Sequence, residues 1–139
     1  MSFVHTLRVR YNECDPQGVV FNANYLTYAD LATNELWRDE LGGYDTFLHG
    51  GHDVVVAEAN VHYLAAARFD DLLDVAITVD RIGTTSIVQR FTMTRDGTDV
   101  AEVVLRYVCV GRDGRPAPVP DVLRERLAVH LTDPAPAPS

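Results

Sequence analysis

With 139 residues, 47% hydrophobic and 23% charged, the chain has ordinary globular composition and suits one domain, burying about two-thirds of the surface its unfolded chain exposes. Its formal charge of -8 argues against a broad polyanion-binding face, so no nucleic-acid partner is expected, though a small basic patch for one phosphorylated ligand is compatible with it. No apolar run approaches the roughly 20 residues that span a bilayer, and MSFVHTLRVRYNE lacks the basic start and apolar core of a signal peptide. The expectation is a cytoplasmic protein without membrane insertion, in which the widely separated Cys14 and Cys109 are free thiols.

In chain order, Thr6 to Tyr11 alternates Leu7, Val9 and Tyr11 against Thr6, Arg8 and Arg10, the pattern of a half-buried strand. A turn follows in which Pro16 holds Asp15 extended and Gly18 supplies unusual backbone angles. Val19, Val20 and Phe21 are too apolar to be left in water, so this loop is expected to pack inward. Tyr25 to Leu41 carries Tyr25, Tyr28, Ala29, Ala32 and Leu36 at helical spacing; Leu26, Trp37 and Leu41 widen the stripe until the helix reads as largely buried. Asn22 or Asn24 is a candidate cap, and Gly42-Gly43 a stop signal.

Tyr44 to Asp53 reads as a connecting loop. In Val54 to Leu64 neither alternating face is fully polar, which predicts a strand central in a sheet or lying against a partner subunit. Leu72 to Ile82 and Ser86 to Arg95 follow as strands, and Asp96-Gly97 signals a hairpin into a further strand, Asp99 to Gly111. Asp113-Gly114 marks another turn, Pro116, Pro118 and Pro120 close the sheet, and Asp121 can cap a short helix from Val122 to Leu131. The expected organisation is one domain over residues 1–131 with a flexible tail over 132–139. It consists of a strand, a long helix and about four strands of meander, an α+β arrangement whose open edges favour a dimer.

The order strand, D-P-x-G-V-V-F-x-x-N-Y, long helix, RFDDLLDV over Arg68 to Val75, and GRPAPVP over Gly114 to Pro120 resembles the 4-hydroxybenzoyl-CoA thioesterase-like acyl-CoA thioesterases of the hotdog fold. The resemblance runs from Leu7 to about Leu127. It implies an antiparallel sheet wrapped around one long central helix, a homodimer or homotetramer with sites at the subunit interface, an acyl-CoA substrate, and no cofactor or metal. Asp15 falls on the family's catalytic aspartate. Asn22 falls on the position, often Tyr or His in relatives, whose backbone N–H polarises the thioester carbonyl.

The chemistry is consistent with those placements. A carboxylate can activate water or attack a thioester directly, and free N–H groups at a helix start can hold the oxygen as it becomes anionic. For Asp15 the competing structural reading is a turn aspartate bonded to its own backbone. Gly18, Val19, Val20, Phe21, Tyr25 and Tyr28 are candidates to line an acyl pocket, each with plain core packing as the alternative. His62, with Asn60 and Glu58, could reach a partner's site or serve as an interface histidine. His49 and His52 flank a Gly-Gly pair without a third ligand at metal spacing.

Arg68, Arg90, Arg112 and Arg115 are available for the CoA phosphates, and Asp70 and Asp71 read as turn residues. Three alternatives stand beside CoA thioester hydrolysis. One is a non-catalytic acyl-CoA-binding dimer, and another is action on an acyl carrier protein. The third is enoyl hydration, against which counts the lack of any His from Asp15 to Asp30.

Overall fold

In the computed structural model of the chain, residues 2–42 and 51–132 are described. Five strands form one antiparallel sheet: β1 (Phe3–Arg8), β2 (Asp53–Tyr63), β3 (Leu72–Ile82), β4 (Ser86–Arg95) and β5 (Thr98–Val110), in the spatial order β1-β3-β4-β5-β2. Helix α1 (Asn24–Leu41) lies on one face of the sheet, and the short α2 (Asp121–Ala128) follows β5. This is the α+β hotdog arrangement anticipated from the sequence.

The core forms where α1 meets the inner sheet face. Tyr28, Ala29, Ala32 and Leu36 pack toward Leu73, Val75, Ile77, Phe91, Met93 and Val103, all essentially without solvent contact. Ala29 and Ala32 are small and three apart on one helix stripe, which lets the backbone approach the sheet closely. A buried polar relay crosses the same interior. Gln89 Nε2 donates to Thr33 Oγ1 at 3.2 Å, and the Thr33 and Tyr107 hydroxyls are 3.1 Å apart. Burial pushes the Tyr107 phenol up to about 12.

Local chemistry explains most boundaries. Gly42 takes the left-handed conformation and sends its N–H to the Trp37 carbonyl, ending α1 as expected. Asp96 and Gly97 both have positive φ, the two-residue turn that matches strand twist between β4 and β5. Gly43, His49, Gly50 and most of the expected loop from Tyr44 to Asp53 lie outside the described residues, as does the tail beyond Thr132.

Several expectations need correction. The first strand ends at Arg8, and Tyr11 to Glu13 form a single 3-10 turn instead of continuing the ladder, because the Glu13 carboxylate bonds back to the Arg10 N–H. The four-strand meander is three strands, β3-β4-β5. β2 pairs with β5 and occupies the far edge of the sheet, so it is not central. Its register shifts between Val56 and Glu58, a bulge that puts Val54 and Val56 on the same side as Ala59, Val61 and Tyr63.

Helix α1 is not covered on most of its girth either. Leu26, Thr27, Asp30, Leu31 and Asn34 are exposed. The last helix stops at Ala128, with Pro120 rather than Asp121 at its cap position. Residues 130–132 then continue the sheet edge that β1 leaves open beyond Ile77: Val79 N–H bonds to the His130 carbonyl at 2.8 Å, and Thr132 N–H to the Val79 carbonyl at 2.9 Å.

Phe91 is fully buried in the middle of β4, whereas its neighbour Thr92 faces outward. Phe91→Ala should lower the unfolding free energy by about 3–5 kcal/mol in urea titrations, and Thr92→Ala by less than about 1 kcal/mol.

Candidate active site

The segment from Glu13 to Phe21 folds as a miniature hairpin. Phe21 N–H bonds to the Glu13 carbonyl (2.9 Å), Cys14 and Val20 form a bridge, and Asp15 N–H bonds to the Val19 carbonyl (2.9 Å). Gly18 N–H closes the turn on the Asp15 carbonyl at 2.8 Å, and Gly18 itself has φ +81, a left-handed conformation that a side chain would strain. Asp15 thus sits at the tip, followed by Pro16 at the turn's corner. Its Oδ1 accepts the Gln17 N–H at 2.8 Å, and among the described residues no protein donor reaches Oδ2. The turn-aspartate reading is therefore correct as geometry, and it orients the carboxylate while leaving one oxygen available.

The hairpin is held between two other segments. On one side the crossing connection from β2 to β3 runs past it. Val20 N–H bonds to the Ala67 carbonyl at 2.8 Å, Val19 bridges Arg68, and the ring of Phe69 stands edge-on to Tyr11 at 5.8 Å. Asp70 adopts positive φ and Asp71 Oδ2 accepts the Arg68 N–H, so both serve the turn as expected. On the other side lies the start of α1.

At that start the cap differs from expectation. Ala23 holds the N-cap position, Asn22 is exposed, and the Asn24 side chain reaches back to the Glu13 carbonyl at 2.8 Å. The Phe21 carbonyl accepts Asn24 N–H (2.9 Å) and the Asn22 carbonyl accepts Tyr25 N–H (3.4 Å). In a trans peptide the N–H points opposite its carbonyl, so the Asn22 and Ala23 N–H groups are directed away from the helix body. Among the described residues neither meets a protein acceptor. Tyr63 Oη donates to the Asn22 carbonyl at 3.2 Å, fixing the Asn22-Ala23 peptide from the side of β2.

Glu13 was not singled out by sequence reasoning, because glutamate is ordinarily a surface residue. Its only signal was the complementary Arg10 three residues earlier. The residue is 9% exposed, and its carboxylate accepts from Arg10 N–H (2.8 Å), Arg10 Nε (2.9 Å) and Tyr28 Oη (2.9 Å). Burial pushes its pKa up, but the Arg10 N–H, the Tyr28 hydroxyl and the Arg10 guanidinium outweigh that and hold it below the ordinary glutamate range. The Tyr28 phenol moves the other way, raised by its own burial and by donating to a carboxylate.

The proposed pocket residues separate into two groups. Gly18 joins Asp15, Tyr11, Asn12, Cys14, Pro16 and Phe69 around an open cavity of about 470 Å³. Val19 and Phe21 are partly or largely exposed beside it. Val20, Tyr25 and Tyr28 belong to the core instead, the Tyr25 ring standing edge-on to Tyr28 (6.0 Å) and Tyr63 (5.7 Å). His62 is not brought to the site, since Tyr63 points to the helix side and adjacent strand residues face opposite ways. Glu58 and Asn60 share its outer face, and Glu58 is engaged with Arg106. Arg90 is committed to Asp80 and Glu102, which removes it as a free phosphate ligand; Arg68, Arg112 and Arg115 remain exposed.

The profile of the thioesterase-like superfamily matches residues 9–127. The chain belongs to this family. Among thioesterase-like relatives, it is 30% identical over 106 residues to an acyl-CoA thioester hydrolase, YbgC, of Escherichia coli, covering 75% of this chain and 78% of that protein. It is 29% identical over 140 residues to a 1,4-dihydroxy-2-naphthoyl-CoA hydrolase of Nostoc punctiforme, covering 96% and 91%. In structure it superposes on a crystallised protein of Aquifex aeolicus with a TM-score of 0.86 at 24% identity, covering 90% of this chain and 98% of that one, which shows the shared fold.

Because Glu13 titrates lower in the folded than in the unfolded chain, its contribution to stability is complete above the unfolded glutamate value of about 4.3 and is lost as pH falls toward the folded value. Glu13→Gln should therefore cost about 1–3 kcal/mol at neutral pH, and the gap to wild type should narrow below about pH 4, as read from urea midpoints across pH.

Proposed function

We propose that this thioesterase-like chain hydrolyses an acyl-CoA to the free carboxylic acid and CoA. What supports the reading is a short hairpin that fixes the Asp15 carboxylate in its turn and leads directly into the outward-directed N–H groups at the start of α1. The thioester oxygen would be received by the Asn22 N–H, with Ala23 beside it, where the positive end of the helix stabilises charge as it develops. The asparagine side chain has no required part, because the donor is the backbone.

In the general-base route Asp15 takes a proton from water, the water oxygen bonds to the carbonyl carbon, and the carbon–sulfur bond breaks. The departing thiolate of CoA then takes up a proton. In the nucleophilic route a free Asp15 oxygen attacks the carbonyl carbon and expels the CoA thiolate, which takes up a proton, and water then cleaves the resulting mixed anhydride. Label found in Asp15 after a single turnover in H₂¹⁸O identifies the nucleophilic route, with water attacking the Asp15 carbonyl of the anhydride. Both routes need one unbonded carboxylate oxygen, and neither requires a metal or cofactor.

The reading includes a homodimer. A groove runs between the exposed face of α1 and the inner side of β2 and β5. Its two adjoining cavities of about 430 and 240 Å³ share Asp30 and Val56. Leu26 and Ala59 line one, Trp37 and Val54 the other. β2 beside it is an unpaired edge with Val55 and Val56 exposed, a surface that soluble proteins cover. A second copy laid along this edge would bury both features and bring each Asp15 hairpin near the interface. Among the described residues no helix is long and apolar enough to cross a membrane, consistent with a cytoplasmic CoA substrate.

A panel of short, long and aromatic acyl-CoAs should reveal hydrolysis by the wild type. Asp15→Asn should lower kcat by about 10²–10⁴-fold with an unchanged circular dichroism spectrum. Full activity in the folded variant would rule Asp15 out, and binding without turnover over the panel would favour a non-catalytic acyl-CoA-binding dimer. Leu26→Glu, which places a charge in the apolar groove, should shift the mass measured by light scattering from dimer to monomer.

A further inference from the structure

Glu13 is the buried carboxylate among the described residues, and the reaction proposed above assigns it no part. Burying a charge is costly, and an apolar side chain could fill the same space without that cost. The contacts of Glu13 suggest what the charge is for. Its carboxylate grips Tyr28, in the second turn of α1, and both the N–H and the guanidinium of Arg10. Its carbonyl receives Phe21 N–H and the Asn24 side chain, one on each side of the Asn22-Ala23 pair. Two residues further along the same strand of the hairpin is Asp15. One residue is therefore bonded both to the frame that carries the N–H donors and, through two peptide units, to the acid.

We propose that Glu13 is a positioning residue for the thioester reaction, setting the separation between the Asp15 carboxylate and the outward N–H groups of Asn22 and Ala23. The inference rests on the thioesterase reading. Glu13 does not touch the substrate; it acts through the hairpin and the helix start. Reactions of this kind are sensitive to placement, since a misalignment of about 1 Å can cost on the order of 100-fold in rate.

The test compares Glu13→Gln, Tyr28→Phe and Asp15→Asn with wild type on the best acyl-CoA of the panel, at a temperature where circular dichroism shows each protein folded. Glu13→Gln should lower kcat about 10–100-fold with KM within about threefold, and Tyr28→Phe, which removes one of the carboxylate's donors, should lower kcat about 3–10-fold. A ketone analogue of the acyl-CoA, with a methylene in place of sulfur, should shift the Asn22 and Ala23 amide proton resonances on binding to wild type. In Glu13→Gln that shift should shrink while the analogue's Kd stays within about threefold, a change that loss of stability alone would not produce.

Folded Glu13→Gln and Tyr28→Phe proteins with wild-type kcat and wild-type amide shifts overturn the inference. If Glu13→Gln does not fold at the assay temperature, Tyr28→Phe decides by the same criteria. With Asp15→Asn inactive, such a result removes the Glu13 inference and leaves the thioesterase reading standing. Full activity in Asp15→Asn removes Asp15 as the acid and the Glu13 inference with it while hydrolysis stands, and no hydrolysis by the wild type over the panel removes both readings.

Discussion

The hydrogen bonds of one buried glutamate hold the candidate site of this protein together. Glu13 turns the chain out of β1 by bonding back to Arg10, and its carbonyl begins the hairpin that carries Asp15. Its bond to Tyr28 then ties that hairpin to the helix. Each bond forms with an ionised acceptor or within a short loop, where geometry is tightly constrained. Asp15 has few anchors of its own beyond its turn. Its place relative to α1 derives from its neighbours, and from the crossing segment that bonds to Val20 on the opposite side.

The sheet supplies the platform, and it is finished unevenly. β3, β4 and β5 bury their inner side chains, and β1 partly buries its own. β2 has much of its surface open, and the stripe of α1 facing its inner side is exposed from Leu26 to Asn34. The open side of the helix, the unpaired strand edge and the groove between them are one continuous surface. Thus the proposed dimer surface adjoins the helix start on which the proposed chemistry depends.

Much of this was legible from residue order, because it is encoded locally. The limits of α1 follow from aromatic and alanine spacing and from Gly42, and β3, β4 and the Asp96-Gly97 turn follow from alternation and turn chemistry. The Asp-Pro-x-Gly turn was equally plain. What escaped were relations between distant segments. Nothing near Asp53 to Tyr63 announces that its partner is β5 rather than β3, and a single-residue bulge is invisible to a pattern that assumes strict alternation. Glu58, Asn60 and His62 do share one face of that strand, as alternation indicates; what alternation missed is that Val54 and Val56 lie on the other. Glu13 escaped because its carboxylate draws donors from two residues, one of them fifteen residues away on another element.

The position of β2 has a consequence for how the molecule comes into being. β2 is made before β3, β4 and β5, yet the strand it joins is the last of them, so it cannot enter the sheet until the whole meander exists. Long-range pairing of this kind is slow, because the intervening loop must be closed before any contact rewards it. During synthesis the run DVVVAEANV, with three valines in succession, waits unpaired and open to association with other chains. The proposed dimer edge thus takes shape only once β5 is made, which joins a late step of folding to assembly in time as well as in space.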